Sequence, residues 1–316
     1  MVALNMESPT VSAIYASYVA NDKPTDPVRL SLFHAVGACA RAAWLGLRWA
    51  VPPERHDGQR MRNFARRRTE GAELASMLTA AGAEVSFLDM ETLRPWEVDL
   101  AGGHARVKVD GIAIGLPEAP KKRHVVVARA LDEAGFRRLR QEGVEKARPA
   151  DAAAMQVAMS AFGAPRGAIL AVNLGTDELL LERIEADPIR AARVGADVEW
   201  IVCSQQPPAR IHEDPAAPAA FACRGCRFSG ICHGKGWARR TCRTCLHATP
   251  ETDGDGRWTC ARFGRDLSAA EQASGCPSHL YVPGLVPGEQ IDASAAGEWV
   301  DYRLADGTTW RDSANQ

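Results

Sequence analysis

Nine cysteines constrain this chain more than any other feature, and seven of them lie between Cys223 and Cys276. The remaining two are Cys39 and Cys203. An odd count argues against a disulfide framework, as does an opening stretch, M-V-A-L-N-M-E-S-P-T, with no basic region ahead of its apolar residues. In a reducing compartment, C-x-x-C pairs point to metal instead. The expectation is a cytoplasmic, metal-binding protein.

The run C-R-G-C-R-F-S-G-I-C places Cys223, Cys226 and Cys232 in a C-x2-C-x5-C spacing. Three thiolates so close can hold three corners of a [4Fe–4S] cubane, and the fourth must come from elsewhere in the fold. Cys39 is the natural candidate. Ligand identity alone leaves zinc open at the same four residues. The second set is Cys242-x2-Cys245 followed by Cys260 and Cys276, the pattern of a zinc ribbon with a wide last spacing and a closed, structural four-thiolate site. His279 is an alternative fourth ligand there. Cys203 reads as a small buried residue.

A length of 316 residues suggests about two folded units. Hydrophobic content of 46% with 24% charged residues excludes wholesale disorder. Lys and Arg number 38 against 39 Asp and Glu, so no global basic field exists and a nucleic-acid surface must be a local patch. Two such patches are present. From Cys223 to Cys245 stand Arg224, Arg227, Lys235, Arg239, Arg240 and Arg243 with no acidic residue among them. A helix expected over about 59–81 begins with Arg60, Arg62, Arg66, Arg67 and Arg68. Both suit phosphate contacts; a solvated basic face is the alternative. No apolar run approaches the ~18 residues a membrane helix needs, so no membrane partner is expected.

Apolar spacing predicts a helix over 31–50 and another over about 59–81 with Phe64, Leu74, Met77 and Leu78 inward. Strands are expected over 84–88, 104–109, 111–114 and 124–128, where the unbroken run Val125, Val126, Val127 and Ala128 fits a strand covered on both faces. Helices follow at 132–143 and 150–162, then strands at 167–173 and 178–184 and a helix over 188–205. The order gives a mixed α/β core over 1–205. Pro207, Pro208, Pro215 and Pro218 mark 206–222 as a linker. Residues 223–283 form the Cys-rich region, and 284–316 a hairpin tail turning at Asp306-Gly307.

Several stretches resemble a known family. G-A-C-A-R-A-A-W-L around Cys39, taken with the late C-x2-C-x5-C, resembles the RecB-like nucleases of the PD-(D/E)XK superfamily, including the iron–sulfur exonucleases of CRISPR adaptation. H-A-R-V-K-V-D-G-I-A-I-G looks like that family's hairpin with its metal-binding aspartate, here Asp110. F-R-R-L-R-Q-E-G-V-E-K-A-R-P, A-V-N-L-G-T-D-E-L-L-L-E-R-I, C-R-T-C-L-H-A-T-P and R-W-T-C-A-R are similar to a temperate, Mu-like phage branch. The resemblance implies a restriction-endonuclease-type mixed sheet flanked by helices, a [4Fe–4S] cluster and a DNA substrate. It also implies Mg²⁺- or Mn²⁺-dependent hydrolysis by the aspartate, a Glu-x-Lys on the next strand, a histidine from the preceding helix and a Q-x-x-x-Y on a later one.

The sequence departs from that pattern at nearly every catalytic position. Glu-x-Lys reads Val127-Ala128-Arg129, the helix Gly-His reads Arg67-Arg68, and the Gln and Tyr positions fall on Ala154 and Ala158. Valine cannot ligate a metal, and an arginine that never loses its proton is a poor base. One carboxylate is a weak cage for Mg²⁺. The expectation is a pseudonuclease that binds DNA, single strands or ends, through a more basic cleft that includes Arg129. Two alternatives stand beside it. One is an active Mg²⁺- or Mn²⁺-dependent exonuclease with chemistry relocated to Asp132, Glu133 and Lys108. The other is a regulatory or scaffold protein acting on a phage or host protein.

Overall fold

The valine run of 125–127 forms the middle of the molecule. The structure of the chain, a computed structural model, describes residues 8–22, 25–35 and 39–314. Its main sheet contains β1 (Glu84–Ser86), β2 (Gly111–Ile114), β3 (His124–Leu131), β4 (Arg166–Asn173) and β5 (Leu179–Glu185), in the order β5-β4-β3-β2-β1. All neighbours are antiparallel except β3 and β4. A parallel pair needs a crossover, which the helices between β3 and β4 supply.

The longer helices are α1 (Pro9–Asn21), α2 (Ala40–Leu47), α3 (Gly58–Ala80), α4 (Glu133–Ala147), α5 (Pro149–Ala161) and α6 (Pro188–Cys203). On one face of β3, Val126, Ala128 and Ala130 pack with Leu74, Ala75 and Leu78 of α3. On the other, Val125, Val127 and Leu131 join Trp44, Leu45 and Leu47 of α2 and Met155 and Met159 of α5. Both faces of β3 are therefore dry, which is why its residues read as a run rather than an alternation.

Tertiary packing corrects several sequence expectations. The helix expected over 31–50 is not continuous. Leu30–Ser31 pairs as a parallel strand with Ala105–Arg106, Leu32–Ala35 is one helical turn, and α2 begins after Cys39; residues 36–38 lie outside the described ones. Phe64 and Met77, expected inward, are 40% and 41% exposed. Cys203, expected buried, is exposed at the end of α6.

Beyond residue 206 the chain forms two small antiparallel sheets. One comprises Ala248–Pro250, Trp258–Cys260 and Arg265–Leu267. The other comprises Gly288–Ala293, Trp299–Leu304 and Thr309–Ser313, so the tail hairpin gains a third strand. Trp258, Leu267, Tyr281, Leu285, Val300 and Tyr302 belong to the same apolar cluster as Trp44 and Leu45. The Cys-rich region thus completes its core against the N-terminal body. Among the described residues, no helix is long and apolar enough to cross a membrane.

Candidate functional site

The site begins where β2 and β3 part. Their pairing ends at Gly111 and Val126, leaving the following peptide groups of β3 without a neighbouring strand on that side. Side chains take the strand's place. Asp110 Oδ2 accepts a hydrogen bond from Ala128 N at 2.8 Å, Arg129 Nη1 donates to Ala128 O at 2.8 Å, and Arg67 Nη1 donates to Ala130 O at 2.7 Å. A carboxylate and two guanidiniums are therefore fixed at one sheet opening.

Arg129 is the hub. Its Nη1 lies 3.7 Å from Asp110 Oδ2, and its Nε and Nη2 donate to the two oxygens of Asp151 at 3.0 and 3.2 Å. Its guanidinium also stacks 4.6 Å from the centre of the Phe33 ring. Asp151, in the first turn of α5, has a 2% exposed side chain and accepts a second charge-assisted bond from Arg148 Nε. Burial alone would push the Asp151 carboxyl up, but the charge and hydrogen bonds of Arg129 and Arg148 outweigh it and hold the group below its usual range. Asp110 goes the other way. Its carboxyl is raised because desolvation exceeds the help from the Ala128 N–H, Arg129 and Lys108.

A divalent ion does not fit this arrangement. Mg²⁺ wants hard, negatively charged oxygens, yet both carboxylates here already share a fixed cation. Val127 is fully buried in the core. Ala154 and Ala158, at the Gln and Tyr positions, are fully buried too. Gln156 is buried by bonds to Glu185 O at 2.9 Å and Asp187 N at 2.7 Å.

The acids of the relocated reading have structural occupations. Asp132 is the N-cap of α4, accepting from Gly135 N at 2.8 Å on one oxygen and from Arg67 Nη2 at 3.3 Å on the other. Glu133 Oε2 accepts from Asn173 Nδ2 at 2.6 Å. Asp132→Ala is accordingly expected to lower stability by about 1 kcal/mol in a denaturant titration, the ordinary effect of a lost cap. A much larger loss, or a change in nucleic-acid handling, would contradict a capping role.

Lys108 is exposed and lines an open cleft of about 500 Å³ with Arg29, Ser31, Phe33 and Arg106. Phe33 joins this cleft to the Arg129 hub. Arg29 and Arg106 are held there by Asp99 at 2.7 and 3.2 Å, and Arg106 also by Glu97 at 2.9 Å.

The basic residues divide into two groups. Arg60, Arg62, Arg66 and Arg68 are exposed on α3; Arg62 and Arg68 have no ion pair among the described residues. Arg224, Arg227 and Lys235 are also exposed. Arg67 and Arg129 are half-buried and engaged as described. Arg239 is half-buried in an ion pair with Asp26 at 2.6 Å, and Arg240 is half-buried, donating to His279 O at 3.4 Å. Arg243 corrects the expectation of a phosphate contact. It is 1% exposed, stacks 3.8 Å from the centre of the Trp49 ring, and donates to Gln272 Oε1 and Leu47 O at 2.9 Å each.

Each cysteine set surrounds its own cavity. Cys39, Cys223, Cys226 and Cys232 line a space of about 240 Å³ with Leu45 and Phe228. Cys39 caps α2, its Sγ accepting from Ala42 N at 3.4 Å. Cys242, Cys245, Cys260 and Cys276 line a far smaller void of about 10 Å³, room for one water-sized sphere. Burial and neighbouring thiols push Cys242 up to about 11; burial likewise raises Cys245 to about 11, against opposing backbone hydrogen bonds. His279 borders the second void, with Nε2 3.2 Å from Thr244 Oγ1 and Nδ1 unpartnered among the described residues. Among the described residues, no group of three or more Cys, His, Asp or Glu has the spacing of a single-ion site. Both cavities are lined by soft sulfur donors, Cys39, Cys223, Cys226 and Cys232 in the large one and Cys242, Cys245, Cys260 and Cys276 in the small one.

The sequence alone does not mark Asp151, Arg148 or Phe33 as parts of this site. R-P-A-D marks a helix start, with Pro149 at the first position and an acid in the first turn, and nothing local distinguishes Asp151 from an ordinary acid favoured by the helix dipole.

No family model matches the chain, and no curated protein does. Solved structures similar to it include LHK-Exo in complex with dAMP, 11% identical over 60% of this chain and 89% of that one, with a TM-score of 0.39. Another is SSO0001, 13% identical over 73% and 100%, with a TM-score of 0.41. A third is the alkaline exonuclease (LHK-Exo) from Laribacter hongkongensis, 12% identical over 59% and 90%, with a TM-score of 0.35. Likenesses at this level carry no argument, and the chemistry rests on the chain's own side chains.

Proposed function

We propose that the chain is a DNA-binding pseudonuclease of the RecB-like, PD-(D/E)XK type, belonging to phage or prophage DNA metabolism. The observation that carries this reading is the guanidinium of Arg129 lying between Asp110 and Asp151. A cation built into the chain lies against Asp110, the one carboxylate left of those on which a nuclease of this type would gather its metal, and ties it to Asp151. The three antiparallel strands, two crossover helices and parallel fourth strand support the same class, because they bring Asp110 beside the strand carrying Val127 and Arg129.

In this reading Cys39, Cys223, Cys226 and Cys232 hold a [4Fe–4S] cluster, and Cys242, Cys245, Cys260 and Cys276 hold Zn²⁺. The first group ties the start of α2 to the region after residue 222, and the second cross-links the Cys-rich region within itself. DNA is held by the exposed arginines of α3, by Arg224, Arg227 and Lys235, and by Lys108 in the open cleft. Phosphate contacts of this kind need no metal.

The test uses anaerobically purified protein with labelled single- and double-stranded DNA, with and without Mn²⁺. Binding without cleavage is expected, with log affinity falling against log salt by about 0.7 to 0.9 per phosphate neutralised. Replacing Arg62 and Arg68 with Ala should reduce that slope. Cleavage lost in Asp110→Ala would overturn the pseudonuclease reading in favour of relocated chemistry. Salt-independent behaviour with no DNA retention would point to a protein-binding scaffold.

A further inference from the structure

Arg48 is a buried cation that belongs neither to the sheet opening nor to the lining of either cysteine cavity. It follows α2 directly and is 2% exposed. Its guanidinium lies 4.8 Å from the centre of the Trp44 ring and 5.4 Å from that of Trp258. Its hydrogen bonds go to backbone carbonyls, Arg243 O at 3.0 Å and Ser204 O at 3.4 Å. An arginine carries five N–H donors in a planar fork, so these bonds leave part of the fork unmatched. Among the described residues, Nε has no acceptor and Arg48 forms no ion pair. A buried charge is ordinarily paired, because desolvating an unpaired ion is severe. Stacking on aromatic rings offsets part of that penalty but does not replace an anion.

Arg48 lines a cleft of about 480 Å³ at the seam between the end of α6 and the Cys-rich region. Gln205 and Gln206 border it from the segment after α6, and Leu246, Pro250 and Val282 give it an apolar wall. Glu251 is the other charged residue among those described as lining it, and its carboxylate accepts from Thr259 Oγ1 rather than from Arg48. This charge balance selects among anions. One guanidinium near one carboxylate suits a singly charged partner, whereas a phosphate dianion would bring its second charge against Glu251. The planar fork also matches a planar carboxylate, and the apolar wall suits a hydrocarbon body.

We propose that this cleft binds a small organic carboxylate with an apolar body, held through its charged end by Arg48. The ligand would bridge the seam, since Arg48 and Gln205 come from the N-terminal body and Leu246 and Val282 from the Cys-rich region. The site depends neither on the DNA-binding reading nor on what the cysteines hold.

The test uses benzoate as the probe, benzamide as its uncharged counterpart and inorganic phosphate as a second anion. Each is titrated calorimetrically into the full chain. Saturable one-to-one binding of benzoate is expected, with benzamide and phosphate weaker by roughly tenfold or more. Cys203, exposed at the same cleft, reports the location. Bound benzoate should slow its alkylation, read by peptide mass spectrometry. Arg48→Met should weaken benzoate binding roughly tenfold or more, and Arg48→Lys should recover part of the loss. A second variant keeps the structural bonds of Arg48 intact. Thr249→Phe places a ring at an exposed position of the lining and should abolish binding at an unchanged melting temperature. Equal affinity for benzoate and benzamide would overturn recognition by charge, and tighter binding of phosphate would overturn the carboxylate assignment. No saturable benzoate binding, or binding that leaves Cys203 alkylation unchanged and survives Thr249→Phe, would overturn the site itself. No arm contains nucleic acid, so these outcomes leave the DNA-binding reading to its own test.

Discussion

Cys39→Ser is expected to strip the anaerobically purified protein of its iron and visible absorbance, and to lower its unfolding free energy by about 4 kcal/mol. The magnitude follows from topology. Cys39 precedes α2, whose Trp44, Leu45 and Leu47 are core residues, whereas Cys223, Cys226 and Cys232 come after the whole main sheet. A group tying these together closes a loop through most of the chain and restrains the unfolded ensemble, as other cross-links over long loops do. Serine separates this effect from a trivial one. Cys39 is the N-cap of α2 through a bond from Ala42 N, and serine is a good N-cap, so the helix start survives the substitution. What serine cannot supply is the soft sulfur ligand. Calorimetry and iron analysis on the same samples decide the matter. Unchanged iron with an unchanged melt would remove Cys39 from the site and leave the first cysteine set one ligand short.

The same residue illustrates what a sequence discloses. Grouping the cysteines by spacing selects one set of three and one of four, because short C-x-x-C loops place both sulfurs on one side of a turn whatever surrounds them, and Cys39, chosen from elsewhere in the chain, borders the same cavity as the set of three. The valine run of β3 was legible for a similar reason, since burial on both faces leaves a compositional mark. The helix expected over 31–50 failed because Leu30–Ser31 exchanges helical bonds for a pairing with Ala105–Arg106, a partner far away in sequence. Arg243 failed likewise. Its count within a basic stretch says nothing of Trp49 and Trp258 closing over it. Asp151 is ordinary on its own helix and gains its meaning from Arg129, which approaches from the sheet. Long-range partnerships decide the site, and residue spacing does not encode them.

Asp151 is also where the second large effect is expected. Asp151→Asn preserves shape and removes charge, leaving the half-buried guanidiniums of Arg129 and Arg148 against a neutral amide. Breaking one side of a buried ion pair typically costs about 3 to 5 kcal/mol, because the partner's charge stays behind uncompensated. A loss at the upper end would fit the two arginines that share this carboxylate. The dependence on pH has a definite sign. The folded-state pKa of Asp151 is depressed, so its contribution is present above the ordinary carboxylate value near ~4 and is lost as pH falls through the lower folded value. Asp110 is raised, so its contribution improves as pH falls and partly offsets that loss. Denaturant titrations across this range should therefore show a steep acid loss in wild type and a shallower one in Asp151→Asn, with the two proteins converging at low pH. Equal midpoints at neutral pH would mean that Arg129 does not depend on Asp151 for its seat. The guanidinium would then be free to leave the two carboxylates, and the central support for a closed nuclease pocket would be gone.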